Sequence, residues 1–533
     1  MTNHREIPLM FQAPIKGRGQ IQYIAEPEKV YRWVDEWCEG VNETVPKFGA
    51  NVETKEYKIT WRYISNSGQD EDIIRPVIAA HGFPYYPGAS MKGAFLRACT
   101  PQQAKRYCGS TNANETQPGI LRFHGAYPKD ASWKDKELVD VVHPQADWQV
   151  KENKSHSAFI QISLHEPTLV FGISSTEKLD QNEWDIIWSI WEKALERGIG
   201  SRVSAGYGQP VKHPETKLIS VGLSGGGLAS QLINKTGEFR TNMFKAALRG
   251  HTLRLLAGAT NGDSAEILTK ELWGGFAGKN SIVGLLGVAF NGNVEIDEYR
   301  YNNNYMPTYE LENGTLNLLC MRPISDEHKK ELGNLAFKLI QFSMLFGGFG
   351  KSWRRVNHRM FLPDYLKNNR KPMIGCHWEF TDRSEKLYIP TNNIKNISKF
   401  LASLEDKILN WVITHDKQPN KTTNWREAWR PDKVQVWGRI AEDEDDSLAV
   451  HWFHDTYHEN KSIKGSTLTG KMSQIGRIWH RMYPRYTKLQ DGRMRRLGTE
   501  YIELLTIFPD DSNTTQDFLK FLPQSFTLLY PSP

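Results

Sequence analysis

Paired cysteines are the first thing this chain lacks. Its five, Cys38, Cys99, Cys108, Cys320 and Cys376, are odd in number and scattered, with no Cys-x-x-Cys spacing. That excludes a disulfide framework and a zinc ribbon as the basis of the fold. Two buried free thiols are the expectation for Cys99 and Cys108, rather than a metal site completed by distant histidines. Long apolar runs are missing too. The longest, Ser281–Phe290, is far too short to span a bilayer, and the opening MTNHREIPLM has no apolar core of signal-peptide length. A reduced, cytoplasmic compartment with no membrane partner is expected. Nor is there a large excess of one charge. With 67 Lys and Arg against 61 Asp and Glu, the formal net charge is +6, a mild basic balance that allows polyanion binding only where cations cluster.

What the chain has is aromatic bulk and glycine-rich turns. It carries 17 Trp, 20 Tyr and 23 Phe in a composition 39% hydrophobic and 24% charged, which places it among globular proteins with ample core. At 533 residues it exceeds one ordinary core, so two or three domains are expected. Residues 1–55 read as an N-terminal extension, with Trp33, Trp37 and Cys38 on one face of a short helix. The alternation of Tyr57–Ile64 (YKITWRYI) predicts a half-buried strand, followed by an acidic loop at Ser65–Asp72 and a helix from Ser90 to about Tyr107. Strand patterns recur at Gly119–Phe123, Ala158–Leu164 and Leu169–Ile173. Trp184, Ile187, Trp188 and Trp191 stand at helical spacing over 182–196, a core stripe, and GIGSRVSAGYGQ closes the unit. This order predicts a ferredoxin-like βαββαβ module over 56–212.

After a polar connector at 210–216 the scheme restarts over 213–371. A strand at Lys217–Leu223, glycines at 225–227, a helix at Thr241–Ala257, a strand segment at Ser281–Phe290 and a helix at His328–Leu345 lead into a second Gly-rich turn, FGGFGKSWRRVNHR. We read this as a duplication of architecture. The predicted fold class is α+β, with tandem ferredoxin-like (RRM-like) modules. Residues 372–533 hold a strand at Val434–Ile440, the loop AEDEDDS and KGSTLTGKMSQIGRIWHRMYPR. The last echoes GASMKGAFLR, a small turn followed by Lys and a helix. This part is either a third ferredoxin-like element or the C-terminal part of the second module.

Two motifs carry chemistry. In PYYPGASMKGAFLR, Pro87-Gly88 turns the chain, Ala89-Ser90 cap a helix and Lys92 lies in its first turn. A helix N-terminus seats phosphate through unpaired N–H groups. Lys92 and Arg97 add charge, and Gly93 allows close approach; without a ligand the same residues make a plain capped helix. In GIGSRVSAGYG, the residues Gly198, Gly200 and Gly206, with Gly208, free the backbone for a ligand's backbone. There Arg202 can pair with phosphate and Tyr207 can stack on a base; the bland alternative is a tight loop.

Together, YPGASMKGAFLR and, about a hundred residues on, GIGSRVSAGYG resemble the RAMP superfamily, whose members form type III CRISPR effectors. FHGAYPKD and ELVDVVHPQADW between them are similar to the sixth Cmr-type subunit, with Gly125 where an Asp is expected and Gln145 where a His is expected. GEFRTNMFKAALRGHTLRLLAG is similar to the first Cmr-type subunit, and FGGFGKSWRRVNHR to its basic loop. The resemblance covers about residues 57–360, most closely a tandem backbone subunit of subtype III-D-like or III-B-like effectors. It implies RRM-like palms that hold CRISPR RNA by its backbone and thumb insertions that interrupt the duplex with complementary target RNA. The implied partners are other RAMP subunits and the polymerase-like large subunit. The implied RNA contacts are Ser90, Lys92, Gly93, Arg97, Gly198, Gly200, Arg202, Gly206 and Tyr207 in the first module. In the second they are Arg240, Lys245, Arg249, Lys351, Arg354 and Arg355.

Cleaving members carry an Asp just before the first motif. Here the loop is SGQDEDIIRPVI, and Ile74 occupies the usual position. Asp70 and Asp72 are the shifted candidates to recruit Mg2+ or another divalent metal and cut target RNA; otherwise the loop is a solvated acidic turn. The matching loop of the second module offers only Glu238, unless Asp263 folds back, so that module is expected not to cut. His81 and His124 are possible acid–base partners by position alone. Two rivals remain: a stand-alone endoribonuclease that processes precursor CRISPR RNA, and a non-catalytic capping subunit.

Overall fold

The computed structural model describes residues 10, 15–16, 20–21, 28–41, 44–70, 73–112, 115–142, 148–151, 159–277, 280–367, 370–420, 422–470 and 474–532. Helix α1 (Glu28–Gly40) buries the Trp33 and Trp37 rings of the predicted stripe, and Trp37 Nε1 donates to Gly82 O at 2.8 Å. The extension is thereby pinned to the first sheet's core. The single strand expected over 57–64 is instead two, β1 (Glu53–Lys58) and β2 (Arg62–Tyr63). The chain leaves the sheet between them because Trp61 and Ile64 pack with Ile74 and Tyr207 in a separate cluster.

Next come β3 (Asn66–Asp70), β4 (Ile73–Pro76), α2 (Gly88–Ala98), β5 (Leu121–Pro128), β6 (Val139–Val142), β7 (Phe159–Ile162), β8 (Thr168–Ser175) and α3 (Gln181–Leu195). Strands β1, β8 and β5 make an antiparallel sheet in that order. Met91 and Phe95 of α2, Ile187 and Trp191 of α3, and Phe171 of β8 share one apolar core. Asp180 starts α3 by accepting from Glu183 N at 2.8 Å, an N-cap that satisfies an end-of-helix donor. The helix expected to reach Tyr107 stops at Ala98, since Pro101 begins a separate turn capped by Thr100. A second small sheet, ordered β6-β7-β4-β3, carries the acidic loop.

The next unit contains β9 (Lys217–Leu228), α4 (Asn242–Ala259), α5 (Gly262–Trp273), β10 (Leu286–Gly292), β11 (Glu295–Tyr301), β12 (Asn304–Cys320), α6 (Asp326–Leu345) and β13 (Cys376–Phe380). Its sheet is antiparallel and ordered β13-β9-β12-β10, with β11 folding onto the far end of β12 as a hairpin. Counting strands within the unit and leaving the hairpin aside, that is fourth, first, third, second. Gly225–Gly227, expected to follow the strand, lie inside β9. A Cβ at Gly225 would stand 2.7 Å from the Trp378 ring of β13, so glycine lets the two strands close. The first sheet has the same first-third-second order, its fourth strand reduced to the bridge Ile59–Pro210.

Helix α7 (Asn396–Thr414) leads to β14 (Gln435–Ala441), α8 (Leu448–His454), β15 (Ile478–Lys488), β16 (Met494–Ile507), α9 (Asn513–Phe521) and β17 (Thr527–Tyr530). Their sheet, β17-β14-β16-β15, is antiparallel and again runs fourth, first, third, second. Residues 372–533 therefore contribute in two places, β13 to the second sheet and β14–β17 to a third. The echo after GSTLTGK is corrected: Ile478–Tyr486 form a strand, not a helix, and Lys471 lies outside the described residues. Every residue of Ile478–Tyr486 is buried, the pattern of a strand covered on both faces. One apolar cluster runs through the second and third units, joining Phe342, Trp429, Trp479 and Tyr530. Among the described residues no helix is long and apolar enough to cross a membrane.

Candidate nucleic-acid interface

Helices α3 and α6 end in loops with the same backbone. Gly198 has φ 79° and Gly348 φ 78°; Gly200 has φ 78° and Gly350 φ 97°; Arg202 has φ 59° and Ser352 φ 58°. The residues between the glycines, Ile199 and Phe349, are both buried, so each loop is anchored by one apolar side chain. Glycine is required at 200, where a Cβ would stand 2.2 Å from Ile64 O. The left-handed torsion costs a side-chain-bearing residue about 1 kcal/mol or more. Ser352 is exposed, so Ser352→Gly is expected to raise stability by about 1 kcal/mol, read from a urea unfolding midpoint; a lower midpoint would refute stored strain there.

The first loop leans on the second unit. A Cβ at Gly206 would lie 2.7 Å from Thr241 Oγ1 at the start of α4, and Lys245 Nζ, one turn on, donates to Ser204 Oγ at 2.7 Å. Burial pushes the Lys245 ammonium down to about 7, and the charged groups that face it, Arg249 and Arg202, are both cations and push the same way. Arg202 from one motif thus meets Lys245 and Arg249 from another in a single part-buried seam. A phosphate entering it would bring a counter-charge to three neighbouring cations at once.

The first motif lies on the other side of this loop. Tyr63 links the two, its ring beside Gly200 and 6.3 Å from that of Tyr86. Helix α2 begins at Gly88 with Pro87 as N-cap and no side-chain cap, so Ala89 and Ser90 sit in the first turn rather than capping it. Ser90, Lys92 and Arg97 are exposed and Gly93 half-buried. The Arg97 guanidinium folds back over Gly93, whose absent Cβ would be 3.7 Å away.

Four of the expected RNA contacts are engaged inside the protein instead. Tyr207 is fully buried, its ring 4.5 Å from that of Trp61 and its hydroxyl donating to Asp140 Oδ2 at 2.8 Å. It has no face for a base. Arg240 pairs with Asp140 Oδ1 at 2.5 Å, while Glu238 is held by Arg62 at 2.8 and 2.7 Å. These pairs join the first two units and leave Glu238 no role as a metal ligand. Arg354 binds Glu427 Oε1 at 3.0 Å and Gln149 at 3.2 Å. Arg355 donates to the carbonyls of Ile478 and Thr469 and lies 4.5 Å above the Phe453 ring; burial, then Arg354, hold its guanidinium down to about 9. Of the contacts expected in the second loop, Lys351 stays exposed.

Sequence reasoning missed the partners of these groups, Asp140, Glu427 and Ser204; Ser204 and Asp140 lie inside the quoted motifs GIGSRVSAGYG and ELVDVVHPQADW, while Glu427 has no such signal. Asp70 ends β3 opposite Ile73, and Asp72 lies outside the described residues. Asp263 is in the first turn of α5. Among the described residues no group of three or more His, Cys, Asp or Glu is arranged to hold a metal ion. His124 Nε2 pairs with Ser174 Oγ at 2.8 Å, and His81 is exposed in a tight turn with φ 57°; nothing brings the two together.

No protein-family model and no curated protein matches the chain. Among solved structures, 36% of the chain is similar to 67% of a chain in the type III-B Cmr-beta bound to cognate target RNA, with 20% identity and a TM-score of 0.23. Over 31% of its length it is similar to 99% of Cmr6 from Pyrococcus furiosus, with 12% identity and a TM-score of 0.20.

Proposed function

We propose that this chain is an RNA-binding backbone subunit of a type III CRISPR effector, built from ferredoxin-like units that grip guide RNA by its sugar–phosphate backbone. The observation that carries the reading is the seam where Arg202 and Ser204 of the first Gly-rich loop meet Lys245 and Arg249 of α4. Two segments picked out separately by sequence come together there as one cationic site. The fourth-first-third-second strand order of the second and third sheets is that of a ferredoxin-like βαββαβ unit, and it supports the tandem architecture. Ser90, Lys92 and Arg97 on α2, with Lys351 in the second loop, supply further exposed contacts along the same chain. Backbone gripping needs isolated cations and open amides rather than rows of aromatics. Neighbouring RAMP subunits and complementary target RNA are the partners of this role.

The test is a titration of the full-length chain with single-stranded RNA at rising salt. Binding with little sequence preference, weakening steadily with salt, is expected; no binding even at low salt sinks the proposal. Metal-dependent cutting is a separable part, assigned to Asp70 and Asp72. In the assembled complex with Mg2+ and complementary target, Asp70→Ala or Asp72→Ala should abolish one cut. Cutting unchanged at every position would leave the chain a non-cleaving subunit.

A further inference from the structure

Two of the five cysteines lie side by side in the first unit. Cys99 caps the C-terminal end of α2, and Cys108 closes the π-helical turn Ala104–Cys108 that brings the chain back beside it. Both thiols are free. Cys99 is half-buried, and Cys108 is 7% exposed, open enough for a small solute. Their side chains meet in a hydrogen bond, sulfur to sulfur.

The surroundings fix this meeting from several sides. After Cys99, Thr100 N donates to Gln103 Oε1 at 2.9 Å and Gln103 N to Thr100 Oγ1 at 3.3 Å, while Ala104 N donates to Thr100 O at 2.8 Å. Those bonds set the direction of the return. The Tyr107 ring, next to Cys108, stands 6.1 Å from that of Phe95 on α2. Arg106 binds Glu183 of α3 at 2.7 Å and Glu177 at 3.3 Å, and its carbonyl accepts from Ile120 N at 3.0 Å. Cys108 belongs to the apolar core of the unit, and Cys99 packs against that core. The two sulfurs are held together by the fold.

The pair is also polarised. The bond from Cys99 pulls the Cys108 thiol below its ordinary range, and the Lys92 ammonium adds to this while burial opposes it. The same bond, then burial, pushes the Cys99 thiol far up. Lys92 stands two turns before Cys99 on the same face of α2 and is exposed. A thiolate beside an ammonium, with a protonated thiol in contact, is the arrangement of an attacking and a resolving cysteine. In a reducing compartment the disulfide of such a pair is transient and responds to oxidant.

We propose that Cys99 and Cys108 are a peroxide-reactive thiol pair whose oxidation is held in check by RNA bound at Lys92; the second half rests on the RNA-binding reading above. The Cys108 thiolate attacks one oxygen of hydrogen peroxide. Its S–O bond forms as the O–O bond breaks, and the departing hydroxide takes up the proton that Cys108 released. The Cys99 sulfur then attacks that of Cys108. The S–S bond forms as the S–O bond breaks, and the hydroxyl leaves as water with the Cys99 proton. Two thiols and one hydrogen peroxide thus give one disulfide and two waters, the thiols losing the two electrons that the peroxide gains. An RNA phosphate on Lys92 spends the ammonium and brings negative charge beside the thiolate, so bound RNA slows the first step.

The experiment treats the reduced full-length chain with hydrogen peroxide, quenches it with a thiol-alkylating agent and maps the peptides by mass. A Cys99–Cys108 crosslink is expected, reversed by dithiothreitol and abolished by Cys99→Ser or Cys108→Ser. In Cys99→Ser the reaction should halt at a sulfenic acid on Cys108, trapped by dimedone. Lys92→Met should slow crosslinking about 3–10-fold, and saturating single-stranded RNA, its binding measured in the same sample, should slow it to a similar degree. No crosslink, or Cys38, Cys320 and Cys376 oxidised as fast as the pair, overturns the thiol pair. A crosslink whose rate ignores both Lys92→Met and bound RNA overturns the control through Lys92 and leaves the RNA-binding reading standing. RNA not bound at all overturns that reading and the control with it, while the crosslink still decides for or against the pair.

Discussion

Replacing Glu427 with alanine is expected to lower the stability of the fold by about 3–5 kcal/mol, the cost of breaking a buried ion pair from one side. The carboxylate is fully buried and takes three arginines: Arg254 of α4 at 2.8 and 2.6 Å, Arg354 at 3.0 and 3.2 Å, and Arg426 at 3.3 Å. Removing it takes the shared counter-charge from buried arginines of the second unit, its Gly-rich loop and the connector to the third sheet. A urea unfolding midpoint measures the loss, and a midpoint unmoved by Glu427→Ala would refute the account. Burial works to raise the Glu427 pKa, but Arg354, Arg254 and Arg426 outweigh it and hold the carboxyl at about 2, below its ordinary 4.5. The folded state therefore binds fewer protons than the unfolded one between those values. The contribution is complete above about pH 4.5 and is lost as pH falls towards 2; Glu427→Gln should lack this acid-dependent part.

Lys245→Met together with Arg249→Met is expected to weaken RNA binding by at least about 100-fold. Each removed charge-assisted contact is worth about 1.5–3 kcal/mol, and the salt slope should flatten by about 1.4, near 0.7 for each lost phosphate contact on a single strand. Lys245→Met alone should not harm the fold, because a buried ammonium facing two other cations gives way to an apolar chain of similar length. Since the free Lys245 titrates near 7 and phosphate favours its charged form, wild-type binding should be insensitive to pH below 7. Above 7 it should weaken, by up to about tenfold per unit, as proton uptake becomes part of binding. Lys245→Met should remove that dependence. Affinity equal to wild type in the double variant would show that phosphate does not enter the seam.

Much of the fold is legible in local pattern. The Trp184–Trp191 stripe forms α3, the helix expected at His328–Leu345 forms α6, and both Gly-rich turns sit where those helices end. Those signals are local, set by side-chain period and by torsions only glycine adopts cheaply. What sequence hides is which charges are already spent. Arg354 and Tyr207 look like RNA contacts until Glu427, 73 residues away, and Asp140, 67 residues away, turn them inward. An arginine beside a Gly-rich loop reads the same whether it faces a phosphate or a distant carboxylate. Similarly, GSTLTGK resembles the first motif in composition, yet the apolar and aromatic residues after it are buried on both faces and make a strand.

The apolar cluster shared by the second and third sheets bears on cooperativity. Among the described residues, Val150 alone of the first 212 enters it, whereas the first unit meets the second through the buried pairs Arg62–Glu238 and Arg240–Asp140 and a small cluster of Val203 with Ala289, Leu319 and Met321. Apolar continuity transmits unfolding; ion pairs set geometry but add little net stability of their own. Three repeats of one strand order are thus expected to melt as two blocks, the second and third sheets together. The cationic seam lies on the boundary between them, where a bound polyanion would couple their melting.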